Sequence, residues 1–342
     1  MKRVIRQYLR LSALLLGVFF ILLVYFLLIH SSLRNEKAVS LYVYPNDTKE
    51  EVLKTIQTLT HTRNTRNLSR LFDRMGYEEP LPTGHFIVKK GMSDFKVARM
   101  LKAGIQTPIR LTFNNVRSVE QLAGRLSSQL MADSLSLLNC FTDTSWIKEA
   151  GFNENTYLCV FLPNTYEAWW NAEPEKIRSL LLREYNRFWN EERVAAAKKH
   201  KLTPAEAYTL ASIVEEETNK RDELSKVAGL YLNRLATGMP LQADPTLKYV
   251  AGDLTLKRIR KGHMLIDSPY NTYKYAGLPP GPIRITSIRT IDAVLNAEKH
   301  TYIYMCAKAD FSGYHAFAST YPEHRKNAIA YHKALNRRGI LE

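Results

Sequence analysis

Leu11 to Ile29 is an almost unbroken run of Leu, Val, Phe and Ile with no charged residue, and it limits the fold more than any other stretch of the chain. Backbone that enters hydrocarbon must satisfy its own polar groups, so the run is read as a helix. At 1.5 Å per residue it spans roughly 28 Å, the thickness of a bilayer core. Lys2, Arg3, Arg6 and Arg10 precede it, which keeps the N-terminus in the cytoplasm and sends the following ~310 residues across. A cleaved signal peptide would have a shorter apolar core and a small-x-small site, and Ile29-His30-Ser31-Ser32 is a poor one. The expected organisation is a cytoplasmic basic tail (1–10), a transmembrane helix (11–30), a linker with a small module (31–109) and a larger α+β domain (110–342).

The formal net charge is +15, and Lys2, Arg3, Arg6 and Arg10 supply four of it. The rest is spread over the exported part, which suits an anionic neighbour such as phospholipid headgroups or an acidic wall polymer. Export argues against nucleic acid as partner, basic as the chain is. Cys140, Cys159 and Cys306 are too few for a disulfide framework; one pair can form in an oxidising compartment, with one thiol left over. With no CxxC and no His/Cys cluster at zinc spacing, neither a metal nor a cofactor is expected.

Beyond the polar stretch 31–37, Val39 to Tyr44 alternates like a short strand. Asp47-Thr48 opens a helix with Val52, Leu53, Ile56 and Leu59 on one face. A second helix carries Leu68, Leu71, Phe72 and Met75 and stops at Gly76, and Gly84 to Val88 reads as another strand. This strand–helix–helix–strand order is the pattern of a small glycan-binding module and equally of other small α+β domains. Helix 93–103 and strand 108–113 lead into helical stretches at 117–150, 174–200 and 222–236, the last with Leu224, Val227, Ala228, Tyr231 and Leu235 facing inward. From 238 to 290 the chain turns rich in Pro, Gly, Asn, Tyr and Thr, the composition of loops that carry function on a rigid scaffold. An apolar strand at Thr301 to Ala307 and a basic helix at 321–338 follow.

The chemistry is concentrated in Ala211-Ser212-Ile213-Val214-Glu215-Glu216-Glu217-Thr218. Thr203 as N-cap, Pro204 at the first turn and Glu206 three residues after Thr203 start a helix, and Ala207, Leu210, Ala211 and Val214 bury one face. Glu215 and Glu217 fall roughly 200° apart around it. Glu216 has Lys220 four residues on, Glu217 has Lys220 and Arg221 at three and four, and both read as paired surface charges. Glu215 has only Thr218 and Asn219 there and shares its face with the small Ala211 and Ser212, which leave room for a ligand. A carboxyl beside an apolar stripe without a cation is how a general acid of raised pKa is made. Three solvated charges at a helix end are the competing reading.

Six further blocks follow the glutamate segment's theme: Pro163-Asn164-Thr165-Tyr166-Glu167, Tyr231-Leu232-Asn233-Arg234-Leu235, Leu241-Gln242-Ala243-Asp244-Pro245-Thr246, Ser268-Pro269-Tyr270-Asn271-Thr272-Tyr273, Gly277-Leu278-Pro279-Pro280-Gly281-Pro282-Ile283 and His315-Ala316-Phe317. In this order they resemble the MltG/YceG-like family of membrane-anchored endolytic murein transglycosylases, over nearly the whole chain. The resemblance implies that the small module is LysM-like. It implies cleavage of the MurNAc–GlcNAc bond within nascent peptidoglycan strands, leaving a 1,6-anhydroMurNAc end and terminating elongation. It also implies a bacterial cytoplasmic membrane location with the catalytic domain outside, and polymerases or a division complex as partners. The first Glu of the family motif maps to Glu215 as acid/base. One carboxyl suffices, because the sugar's own 6-hydroxyl attacks C1 and returns its proton to the same carboxylate, so no water has to be activated.

Gln242, Asn271 and Thr272 are expected to hydrogen-bond the sugar, Tyr270 and Tyr273 to offer ring faces, and Asp244 to orient a neighbour. Glu217, Ser212, Asn233 and His315 are expected as supporting residues. Asp244-Pro245-Thr246 also reads as a turn and helix cap, and Asn271-Thr272 as backbone satisfaction. The sequence departs from the family at Tyr157 to Leu162, at Asn164 where Asp is usual, and at Glu216 where Lys is common. A binding scaffold with a silent catalytic domain, and a hydrolase using water in place of the 6-hydroxyl, are the alternatives.

Overall fold

The computed structural model describes residues 2–25, 30–77, 79–253, 255–256 and 259–338. The chain divides into two compact units, one of residues 1–111 with 166–172 and one of 112–165 with 173–342.

The first unit opens with α1 (Lys2–Val24). Among the described residues this is the one helix long and apolar enough to cross a membrane, a property shared by anchors and signal sequences. The end of the apolar run, 26–29, lies outside the described residues. Then come β1 (Val39–Val43), α2 (Lys49–Thr60), α3 (Arg66–Arg74), β2 (Gly84–Val88) and α4 (Asp94–Lys102). β1 and β2 pair antiparallel with Leu41 opposite Phe86, and alternation sends Leu41, Val43, Phe86 and Val88 into a core with Val52, Ile56, Leu68 and Phe72. α2 starts where the sequence indicates, because Thr48 and Glu51 close a capping box. Gly76 at φ 62° ends the α3 segment in the left-handed region that glycine tolerates. The chain after the apolar run is strapped down. Ser32 donates from N–H and Oγ to Asp94 Oδ1 at 2.8 and 3.0 Å, and Ser31 Oγ donates to the Met92 carbonyl at 2.8 Å.

β3 (Ile109–Phe113) pairs with β4 (Asn164–Ala168). The second unit holds α5 (Val119–Ser127), α6 (Ser134–Phe141), α7 (Thr144–Glu149), α8 (Pro174–Phe188), α9 (Glu191–Lys199), α10 (Pro204–Glu217), α11 (Leu224–Ala236), α12 (Asp244–Val250), α13 (Lys261–Met264), α14 (Ile288–Leu295), β5 (Tyr304–Ala307), β6 (His315–Ala318) and α15 (Tyr321–Arg337). The mixed helix-and-sheet composition agrees with the α+β expectation. Residues 117–150, expected to be helical, form three short helices, because Asp133 and Asp143 each cap a new start. The loop-like stretch 238–290 contains α12 and α13. The block at His315 is a strand, paired with β5 so that Ala307 faces His315. Cys140 and Cys159 are buried thiols and Cys306 a half-buried one, none of them bridged.

α10 organises this unit. Its Thr203–Glu206 capping box and Pro204 form as the sequence indicates, and every residue from Ala207 to Val214 is buried. It packs against α9, α11, α12 and α14. A helix enclosed on all sides delivers each residue of its last turn to a different wall.

Candidate active site

The three consecutive glutamates at the end of α10 have three different environments. Glu215 faces the segment 284–287. Its Oε2 accepts from the Thr286 hydroxyl and from the Ser287 N–H at 2.7 Å, and Arg284 lies 3.9 Å from Oε1. The expectation that Glu215 stands clear of cations is thereby corrected: the cation comes from a segment distant in sequence, which local spacing does not reveal. Glu216 is not paired with Lys220. It takes Arg117 Nη1 at 2.9 Å on one oxygen and Arg284 Nη1 on the other. Arg284 is only 5% exposed, and its neighbour Ile285 donates back to the Arg117 carbonyl at 3.2 Å. Acidic Glu216 is thus the partner of two guanidinium groups, which accounts for its departure from Lys.

Glu217 turns to the opposite side, towards α11. Instead of pairing with Lys220 or Arg221, it accepts from the Tyr231 hydroxyl at 2.7 Å and lines a cavity of about 270 Å³. Burial pushes its carboxyl up to about 7, and the negative charge of Asp244 adds to this; the Tyr231 hydrogen bond, Arg234 and Lys248 pull the other way. A carboxyl that keeps its proton near neutrality inside a cavity is equipped as a general acid.

Gln242, Asp244 and Tyr273 line the same cavity, together with Arg234 and His315. Gln242 sits at φ 49°, a left-handed conformation that costs a non-glycine residue about 1 kcal/mol. It is held there by its N–H to the Thr272 carbonyl at 3.0 Å. Tyr273 donates to Asp244 Oδ1 at 2.5 Å. Arg234, 8% exposed, donates to the carbonyls of Leu241 at 2.5 Å and Ile303 at 2.7 Å, joining the Gln242 loop to the strand that enters β5. Tyr231, expected as an inward-facing residue, and Arg234, quoted within the same block, carry no site role in the sequence reading; an arginine three residues after an inward tyrosine on an apolar helix face is the signal available.

Other expected substrate contacts are framework instead. Asn271 is fully buried. Its amide donates to the Met264 and Ile266 carbonyls and its oxygen accepts from the N–H groups of Tyr273 and Lys274, so nothing is left for a sugar. Thr272, 1% exposed, is spent on the Ala243 N–H and the Thr246 hydroxyl. Ser212 donates to the Thr209 carbonyl and accepts from the Ile283 N–H, so it fastens the Pro/Gly segment to α10 and leaves no space for a ligand. Asn233 donates to the carbonyls of His300 and Tyr302. Tyr270 packs against Tyr249 with the rings tilted by 42° and their centroids 4.9 Å apart, and it is not among the residues lining the Glu217 cavity.

Two expected results follow from this geometry. Tyr231→Phe removes a donor that favours the charged form of Glu217, so the carboxyl titrates higher and the alkaline limb of any Glu217-dependent activity moves to higher pH; a pH–rate profile reads it. Gln242→Gly relieves the left-handed strain and removes the amide from the cavity. Thermal unfolding then shows a gain of about 1 kcal/mol, while KM for a ligand of this cavity rises.

The family profile for the YceG-like family matches residues 41–330. The chain belongs to the YceG-like family. The YceG-like fold is also that of a yceG-like protein from Listeria monocytogenes whose 2.6 Å crystal structure superposes with a TM-score of 0.56 at 23% identity, covering 85% of this chain and 99% of that one. Among curated relatives, the endolytic murein transglycosylase of Bacillus subtilis (strain 168) is 40% identical over 139 residues, 41% of this chain and 38% of that protein. The endolytic murein transglycosylase of Streptococcus pneumoniae serotype 2 (strain D39) is 35% identical over 134 residues, 38% of this chain and 24% of that protein. The match to this YceG-like chain thus spans well under half the length of each curated relative.

Proposed function

We propose that this chain is an endolytic transglycosylase that cuts peptidoglycan strands, with Glu217 as its acid. The observation that carries the reading is a carboxyl held near pKa 7 in a polar cavity with Gln242, Asp244 and Tyr273, in a family whose named relatives are endolytic murein transglycosylases. Glu217 in its protonated form donates to the glycosidic oxygen between MurNAc and GlcNAc as positive charge develops at C1. Asp244, anchored by Tyr273, faces that charge, and Gln242 hydrogen-bonds the sugar. Attack by the 6-hydroxyl closes the 1,6-anhydro ring.

The rest of the proposal concerns position. With α1 in the bacterial cytoplasmic membrane and the basic tail inside, residues 31–109 form a linker and a LysM-like module and 110–342 the catalytic domain, outside the cytoplasm. There the chain meets strands as polymerases or a division complex release them, and cleavage terminates elongation.

The test is mass spectrometry of products from full-length protein in detergent with uncrosslinked glycan strands. Anhydro-ended fragments support the transglycosylase, reducing ends only would make it a hydrolase, and no fragments would make it a binding scaffold. Glu215→Gln and Glu217→Gln run side by side separate the two carboxyls.

A further inference from the structure

His315 lines the cavity of Glu217 and rests on a second carboxylate, Glu223, that is not part of the lining. Glu223 is 6% exposed and collects three donors. These are the Thr218 hydroxyl at 3.3 Å, the His315 N–H at 2.8 Å and His315 Nδ1 at 3.0 Å. The segment carrying it is clamped to the β5–β6 turn at Tyr314, the residue before His315. Tyr314 donates to Asp222 Oδ2 at 3.1 Å, and Lys220 lies 4.6 Å from the Tyr314 ring centroid.

Because Glu223 accepts, His315 donates through Nδ1–H, and the lone pair of the neutral ring is left on Nε2. Nε2 makes no hydrogen bond among the described residues, while the ring lines the Glu217 cavity. Thr218 directly follows Glu217 in the chain, so one carboxylate fixes both the helix end that carries the acid and the His315 imidazole. This is the arrangement of a base held in one tautomer by an orienting carboxylate.

We propose that His315 is a second catalytic residue, the base that takes the proton of the attacking hydroxyl, with Glu223 as its positioning residue. The proposal rests on the transglycosylase reading above. In the step, the C1–O bond to the leaving sugar breaks and its oxygen takes the proton of Glu217. The 6-oxygen bonds to C1, and its proton passes to Nε2. The site is left with a Glu217 carboxylate and a His315 imidazolium, and one proton transfer through solvent from the imidazolium to Glu217 restores it. Proton delivery and proton removal thereby occur at different atoms, and water is disfavoured as nucleophile because the base is placed for the 6-hydroxyl.

His315→Asn is the first variant, since its amide keeps a donor where Nδ1 was and lacks Nε2. His315→Ala and Glu223→Gln accompany it, all as full-length protein in detergent on uncrosslinked strands, with anhydro and reducing ends counted separately and folding followed by circular dichroism. The expected result is a loss of anhydro ends of about 100-fold in His315→Asn, within the range for a general base, with a rising ratio of reducing to anhydro ends and KM within about threefold. Added imidazole restores anhydro ends in His315→Ala, and Glu223→Gln gives a smaller loss. A merely structural role lowers both kinds of end together and is not rescued by imidazole; that outcome, or a His315→Asn rate within about threefold of wild type, overturns the proposal. No ends of either kind from wild type overturns the glycan reading and this proposal with it, whereas wild-type anhydro ends beside an unaffected His315→Asn defeat this proposal alone.

Discussion

Glu217→Gln loses glycan cleavage by roughly 100- to 10,000-fold, the range for removing a general acid, and at pH 8 it unfolds at a higher temperature than wild type. Both results have one cause. The carboxyl titrates near 4.5 when free and near 7 in the fold, so the native state holds its proton more tightly than the unfolded chain. Its contribution is fully present below about pH 4.5 and is lost as pH rises to about 7. Above that, a buried charge works against folding by up to about 3 kcal/mol. Glutamine keeps the acceptor for Tyr231 and carries no charge, so it recovers that energy at pH 8 and gains nothing at pH 4. Wild-type activity falls about tenfold per unit above pH 7 as the acid form is depleted. Thermal scans at the two pH values, with product counts, check both halves. Equal melting temperatures at pH 8 would show that Glu217 is not the strained group described.

The second large effect is on stability alone. Arg284→Met leaves Glu216 with only Arg117 and Glu215 with only the donors of Thr286 and Ser287. Removing one partner of a buried ion pair strands the other charge, typically at 3–5 kcal/mol. Glu215 and Glu216 side chains keep 21% and 15% of their exposure, so about 3 kcal/mol is expected, a fall of roughly 6–12 °C in Tm for a unit of this size. Adding Glu216→Gln to Arg284→Met recovers part of the loss, since the stranded charge is gone; a double-mutant cycle on Tm measures it. Strict additivity of the two changes would mean that the bridge carries no coupling.

Much of the local architecture was legible because its causes are local. Thr48 with Glu51 and Thr203 with Glu206 close their boxes within four residues, and the alternation of β1 sets its buried side directly. The separation of Glu215 from Glu217 around α10 was likewise readable. What the periodicity could not say was which side is open, because that depends on partners far along the chain: Tyr231 is 14 positions from Glu217, and Ser287 is 72 from Glu215. Asn271 shows the same limit in another form. An amide in a loop rich in turn residues suits a sugar or a carbonyl equally, and only the folded positions of Met264 and Ile266 decide for the carbonyl. Gln242, Asp244, Tyr273 and His315, expected as ligand contacts or their supports, do share one cavity.

The strap of Ser31 and Ser32 on Met92 and Asp94 reaches back towards α1. His30 continues that strap: its N–H donates to the Tyr25 carbonyl at 2.9 Å and its carbonyl accepts from the Asp94 N–H at 3.2 Å, so the end of the described helix is tied directly to the first unit. On the proposed placement of α1 in a bilayer, this tie holds the first unit close to the lipid surface. On the same placement, a flexible insert at this tie would move the unit outward without altering any residue of the cavity.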